Sequence, residues 1–296
     1  MTIKEVLKKY PNVEIELLLA DVLKKPREFI FLHPEFILTS KHLNILSKYI
    51  KRREKGEPVA YILGYKDFMG QRFKVNKDVL IPRPETEGLV ELALDRIKNY
   101  ELGIKNAKSL RILDMGTGSG CIAVTVAKII FARRKDDLCR VVAADVSPKA
   151  LLVAKANARK HKAKIQFIHS DLFQNIKGNF DIIVANLPYV PMKMLRKHLL
   201  HQGKLEAGDP FAGLKYEPKF ALTDGTSIWL IYKKFFDQVR AHLSPGAVIL
   251  LEIDPASRKF LKTYQEQYLP GAQVKFYRDF NRLWRYMEIK TKGSTG

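Results

Sequence analysis

Residues 181–191, DIIVANLPYVP, set an amide, a main-chain carbonyl ahead of a proline and an aromatic ring at the end of an apolar run. Ile182–Ala185 reads as a buried strand. Asn186, Leu187, Pro188 and Tyr189 follow at its carboxyl end. This set suits a flat, NH2-bearing group. The lone pair of such a nitrogen is delocalised, so it is a weak nucleophile. Acceptors on its two hydrogens hold it in line and stabilise the positive charge that develops as it attacks. Asn186 Oδ1 and the Leu187 carbonyl are the candidate acceptors. Pro188 stiffens the turn, and Tyr189 would pack on the flat face. No general base is required, because the proton becomes acidic only once the nitrogen has reacted. The tetrapeptide leaves open whether the nitrogen belongs to a nucleic-acid base or to a protein side chain.

A second constellation lies upstream in RILDMGTGSGCIA. Asp114 ends a strand, and Gly116, Thr117, Gly118, Ser119 and Gly120 lead into a helix. Glycines at alternate positions let the backbone approach a ligand closely, and the helix N-terminus offers amides to carboxylate or phosphate groups. A dinucleotide fingerprint needs a third glycine three positions after Gly118, where this chain has Cys121. The next strand ends at Asp145, an acid placed to accept from both ribose hydroxyls. A third ends at HSDLF, where Asp171 could accept from an adenine amine, with Leu172 and Phe173 flanking the ring. Three successive strand ends thus read amino-acid moiety, ribose and base, at the edge where open α/β sheets bind ligands.

The elements that must position these groups alternate from about residue 86. SLRILDMG, CRVVAADV, IQFIHSDLF, FDIIVANLPY and GAVILLEID read as strands, with amphipathic helices between most of them. Ser147 and Pro148 mark one helix start as N-cap and first residue. QVKFYRDFNRLWRYMEIK closes the chain as a hairpin. The pattern predicts an α/β fold with a mostly parallel sheet covered on both faces and an antiparallel edge hairpin. Ahead of it, residues 1–64 read as a small all-helical domain, with Gly56 stopping the helix in SKHLNILSKYIKRREKG. Residues 65–85 read as a β-hairpin linker, 86–292 as the catalytic domain and 293–296 as a loose tail.

Composition bounds the rest. The chain has 296 residues, 46% hydrophobic and 28% charged, a globular balance. No apolar run reaches the roughly 18 residues of a membrane span. No targeting segment is visible, so the expected compartment is the cytoplasm. Cys121 and Cys139 form no CxxC pair, and the seven His form no metal-ligand pattern, so no metal site is expected. The net charge of +21 points to a polyanionic neighbour, such as RNA or the ribosome, or to a solvated basic surface. A monomer is expected.

The order Asp114-loop, Asp145, Asp171 and N-x-P-Y resembles the class I methyltransferases, Rossmann-like proteins that bind S-adenosyl-L-methionine. The resemblance implies that Asp114, Gly116, Thr117, Gly118, Ser119, Gly120, Asp145, Asp171, Leu172 and Asn186 serve the cofactor. N-x-P-Y resembles the signature of enzymes that methylate planar NH2 groups, on adenine, cytosine or the glutamine side chain. Leu187 matches rRNA adenine dimethyltransferases, which commonly read N-L-P-Y, and departs from the N-P-P-Y of glutamine methyltransferases. The flanks point the other way. GEPVAYILGYKDFMGQRFKVNKDVLIPRPETEGLVELAL, SDLF, YEPKFALTDG and LLEI are similar to the peptide chain release factor N5-glutamine methyltransferases, over residues 11–290.

That resemblance implies methylation of the Gln in the GGQ loop of release factors, with the helical N-terminal domain gripping the release factor. IPRPETE would close over the cofactor side, and segment 191–216 would line the way in for a protruding loop. Family members usually carry Gly after LLEI, where this chain has Asp254. Leu187→Pro is expected to be tolerated, since position 187 supplies a carbonyl. The alternatives are a ribosomal-protein glutamine methyltransferase, a nucleic-acid adenine or cytosine amine methyltransferase, and a non-catalytic RNA-binding module on the same fold.

Overall fold

The computed structural model describes residues 1–11, 13–103, 110–133, 139–188, 213–222 and 228–293. These fall into two compact units that divide at Tyr65 and Lys66, with 213–216 belonging to the first unit and the chain from Glu217 to the second.

The first unit is helical: α1 Ile3–Lys9, α2 Val13–Leu23, α3 Arg27–Leu32, α4 Ser40–Glu54 and α5 Val59–Leu63. Thr2 caps α1 and Thr39 caps α4, each through a reciprocal box with the residue three positions on. Gly56 follows α4 at φ +87, the left-handed turn that ends it. Ile3, Val6, Leu18, Leu19, Ile30 and Leu46 form one buried cluster. A short hairpin follows, β1 Tyr65–Phe68 and β2 Gln71–Lys74. Met69 and Gly70 both have positive φ, as a two-residue primed turn requires. The Glu87 carboxylate accepts from the Met69 N–H at 2.7 Å and holds that strained residue in place.

The second unit alternates as the pattern predicts: α6 Glu85–Gly103, β3 Leu110–Met115, α7 Cys121–Arg133, β4 Cys139–Asp145, α8 Pro148–Lys160, β5 Gln166–His169, β6 Phe180–Ala185, α9 Ile228–Val239, β7 Leu243–Glu252, α10 Arg258–Tyr268, β8 Gln273–Arg278 and β9 Trp284–Lys290. Helix α10 is an element the pattern reading does not include. The seven strands run in the order β5-β4-β3-β6-β7-β9-β8. All neighbours are parallel up to β7, and β9 enters antiparallel between β7 and β8. Successive residues of each central strand feed opposite faces. Ile112, Val141, Ile182 and Leu250 pack on one side; Leu113, Val142, Ile183 and Ile249 pack on the other. Each such side chain contributes roughly 1.5–3 kcal/mol by leaving water. Asp254 has φ −70, so the turn after β7 needs no glycine there. Its side chain accepts from the Ala256 N–H at 2.8 Å and starts the short helix Pro255–Ser257.

Candidate active site

Gly116 is the first residue beyond β3, and Asn186 the first beyond β6. Met115 pairs with Ala185 in the ladder, so the two loops leave the sheet side by side. They do so where the strand order switches direction, the crevice in which open α/β sheets take ligands. One cavity lies there, lined by Gly116, Gly118, Asp145, Asp171, Leu172 and Asn186. Leu187 and Pro188 also reach it. Tyr189 and residues 190–212 lie outside the described residues.

Asp114 sits beneath the glycine loop, 1% exposed. Its Oδ2 accepts from the Thr117 hydroxyl at 2.6 Å and the Ala123 N–H at 3.1 Å. Its Oδ1 is buried with no partner among the described residues. Burial pushes its carboxyl up to about 7, against those two donors. Thr117 and Ser119 are buried, and a Cβ on Gly120 would meet Ala154 of α8 at 3.0 Å. These three hold the loop's shape, and neither they nor Asp114 line the cavity.

Asp145 accepts from the Gly118 N–H through Oδ2 and from the Ser147 N–H through Oδ1, both at 2.8 Å. Each oxygen keeps a second lone pair. Burial pushes this carboxyl up too, opposed by the Ser147, Gly118 and Val146 amides and the His169 ring. Asp171 is exposed at the rim. Leu172 adopts φ +47, held by Ser170, whose hydroxyl donates to the Leu172 carbonyl at 2.6 Å and accepts from the Asn175 N–H at 3.0 Å. This turn sends the next residue away from the cavity. Phe173 does not flank it, contrary to the sequence-based expectation. Phe173 is 3% exposed, within the core, stacked on His242 at 4.9 Å.

Asn186 is half-buried, and its Nδ2 donates to Thr86 Oγ1 at 3.1 Å. Thr86 in turn donates to Glu252 Oε2 at 2.8 Å. Neither residue stands out in the sequence by type or spacing. Their only signal was position inside IPRPETE and LLEI. Leu187 contributes more than a carbonyl: its side chain is 3% exposed and belongs to the core under the sheet edge. Asp78, Val79 and Leu80 also line the cavity, from the loop ahead of IPRPETE. That loop is tied down by Glu217, which accepts from the Ile81 N–H at 3.2 Å and from Arg83 at 2.6 Å. Burial pushes the Glu217 carboxyl up, and Arg83 partly offsets this. Among the described residues, no group of three or more His, Cys, Asp or Glu is arranged for a metal ion, and no helix is long and apolar enough to cross a membrane.

Residues 3–64 match the family model of the PrmC N-terminal domain, and residues 102–207 that of the methyltransferase small domain. The release factor glutamine methyltransferase of Coxiella burnetii is 39% identical over 246 residues, covering 82% of this chain and 79% of the relative. The chain belongs to the release factor glutamine methyltransferases. The enzyme of that name from Koribacter versatilis is 40% identical with the same coverage as the Coxiella protein. In fold, this methyltransferase is similar to the hMettl16 catalytic domain, with a TM-score of 0.51 at 13% identity over 76% of this chain and 77% of that one.

The cavity of this methyltransferase fits S-adenosylmethionine. Asp114 lies behind the cavity lining and does not face the cavity; its buried Oδ1, left without a partner among the described residues, has the chemistry a cationic α-amino group would need. A Cβ on Gly116 would come within 3.7 Å of Leu187 Cδ2 and 3.8 Å of the Asn186 carbonyl, filling the gap between the two loops. The Asp145 carboxylate at the cavity wall suits a ribose diol, and Asp171 with Leu172 suits a planar amine-bearing base.

Proposed function

We propose that this enzyme transfers the methyl group of S-adenosylmethionine to the side-chain amide nitrogen of the glutamine in the GGQ motif of peptide chain release factors. The observation that carries the reading is the held amide of Asn186. With Nδ2 committed to Thr86, the oxygen is the end left to accept from an incoming NH2 group. Its neighbour along the chain, the Leu187 carbonyl, is the second acceptor. Together they would orient the glutamine nitrogen and stabilise the charge it gains. When bound, the cofactor supplies an electrophilic methyl group. Asp114, Gly116, Gly118, Asp145, Asp171 and Leu172 would hold it, while Thr117, Ser119 and Gly120 keep the loop in shape. Tyr189 would cover the flat face of the amide.

A base amine would satisfy the same two acceptors. The choice of a protein amide rests on the N-terminal match over residues 3–64 and on the names of the curated relatives. In this reading residues 1–64 grip the release factor, 65–85 connect, and 86–292 catalyse. The enzyme works as a monomer in the cytoplasm, where its +21 charge suits the surroundings of the ribosome.

The test offers labelled cofactor with a release factor and total RNA in one reaction. Label is expected in the release factor, as one methyl group on the GGQ peptide, and is expected to vanish with Asn186→Ala. Label in RNA alone would overturn the proposal.

A further inference from the structure

Asn186 has two ends of similar shape and opposite chemistry, a carbonyl oxygen and an NH2 group. Only the oxygen can accept from a substrate amide. If the side chain turned over, a donor would face a donor and transfer would fail. Something must therefore set the orientation of this amide, and the chain from Asn186 to Glu252 does so.

Glu252 ends β7 and is 0% exposed. Thr86 lies in the first turn of α6 and is 3% exposed. A carboxylate can only accept, so the Thr86 hydroxyl spends its one hydrogen on Glu252 Oε2, at 2.8 Å. What remains on Thr86 towards Asn186 is a lone pair, and a lone pair selects Nδ2, at 3.1 Å. The polarity of the charged end thus propagates through the hydroxyl to the amide. In a buried setting a mismatched order would leave polar groups unpaired, which is costly.

The scaffold keeps both members in place independently of Asn186. The Tyr232 hydroxyl donates to the Glu252 carbonyl at 3.2 Å. The Tyr286 hydroxyl donates to the Glu85 carbonyl at 2.5 Å, beside Thr86. The Thr86 N–H itself donates to the Arg83 carbonyl at 3.1 Å.

Resting on the acceptor role assigned to Asn186, we propose that Thr86 and Glu252 are positioning residues for methyl transfer, which fix the Asn186 amide with its oxygen towards the substrate nitrogen. Neither touches the reacting atoms. Their effect belongs in the rate of transfer and not in cofactor affinity.

The experiment measures kcat and KM with release factor, and cofactor Kd by calorimetry, for Thr86→Val, Thr86→Ser, Glu252→Gln and Asn186→Ala. Thr86→Val keeps the shape of the side chain and removes the hydroxyl. Thr86→Ser keeps the hydroxyl. Glu252→Gln can donate as well as accept, so it no longer forces the order. By analogy with partners that orient metal ligands, Thr86→Val and Glu252→Gln are expected to lower kcat about 10- to 100-fold. Cofactor Kd should stay within about twofold, and Thr86→Ser should recover most of the rate. Combining Thr86→Val with Asn186→Ala should add little to the loss from Asn186→Ala alone, because both act on one group. Full activity in Thr86→Val, failure of Thr86→Ser to recover it, or joint loss of cofactor binding in Thr86→Val and Glu252→Gln would overturn the inference. The underlying reading fails separately, if Asn186→Ala itself methylates at the wild-type rate.

Discussion

Asn157, fully buried in α8, donates from Nδ2 to the Ser119 carbonyl at 2.8 Å, inside the glycine loop. The same group donates to the Lys74 carbonyl at 3.0 Å, and Oδ1 accepts from the Lys74 N–H at 2.7 Å. One amide thus ties the glycine loop to the end of the hairpin. Asn157→Asp is nearly the same shape but sets a carboxylate oxygen against two carbonyls. Loss of about 3 kcal/mol is expected, from acceptors left facing acceptors in the interior. Cofactor affinity should fall with it. Urea denaturation and calorimetry check both, and an unchanged midpoint would show that the bridge is dispensable.

The buried Asp114 carboxyl, near 7, gives a pH dependence of definite sign. Its ordinary value is about 3.9, so the folded protein holds this proton more tightly than the unfolded chain. The stabilisation is complete below that ordinary value and is lost as pH rises through about 7. Wild type should therefore lose stability relative to Asp114→Asn as pH climbs across this window. A cation bound at Oδ1 favours the ionised form, so affinity for S-adenosylmethionine should rise with pH through the same range and release a proton. Calorimetry in buffers of different ionisation enthalpy reads that proton; none released would refute the assignment.

Gly88 lies under the Tyr286 ring, and a Cβ there would stand 2.3 Å from its hydroxyl oxygen. Gly88→Ala must push Tyr286 off the Glu85 carbonyl, one residue from Thr86. We expect a loss of about 1–3 kcal/mol, as for other overpacked sites, together with reduced transfer. Tyr286→Phe removes the offending atom, so the alanine should cost less on that background. Equal costs on both backgrounds would place the strain elsewhere.

Leu187 is buried, so its replacement separates packing from chemistry. Leu187→Ala should cost about 2–5 kcal/mol, as buried leucines do. Leu187→Pro keeps the carbonyl and sets φ near −65°. Its transfer rate should persist while its denaturation midpoint drops. A collapse of kcat with the fold intact would assign the leucine side chain a part in catalysis.

Much of this protein was written locally. Strand and helix periods and the Ser147–Pro148 start of α8 each depend on a few neighbouring residues, so the order of elements was legible in the chain itself. N-L-P-Y left the owner of the nitrogen open, and the likeness of the distant linker, residues 56–94, to the release factor glutamine methyltransferases pointed to a protein amide. What tertiary structure decided were partnerships between residues far apart. Thr86 meets Glu252 across 166 positions, Arg83 meets Glu217 across 134, and Asn157 meets Lys74 across 83. No periodicity encodes such a meeting, because each is made when separate elements dock on one sheet. The same holds on the smallest scale: Leu172 and Phe173 are both buried in one core, yet only the left-handed Leu172 also lines the cavity. Composition treats the two as equals, and only the direction of the folded backbone tells them apart.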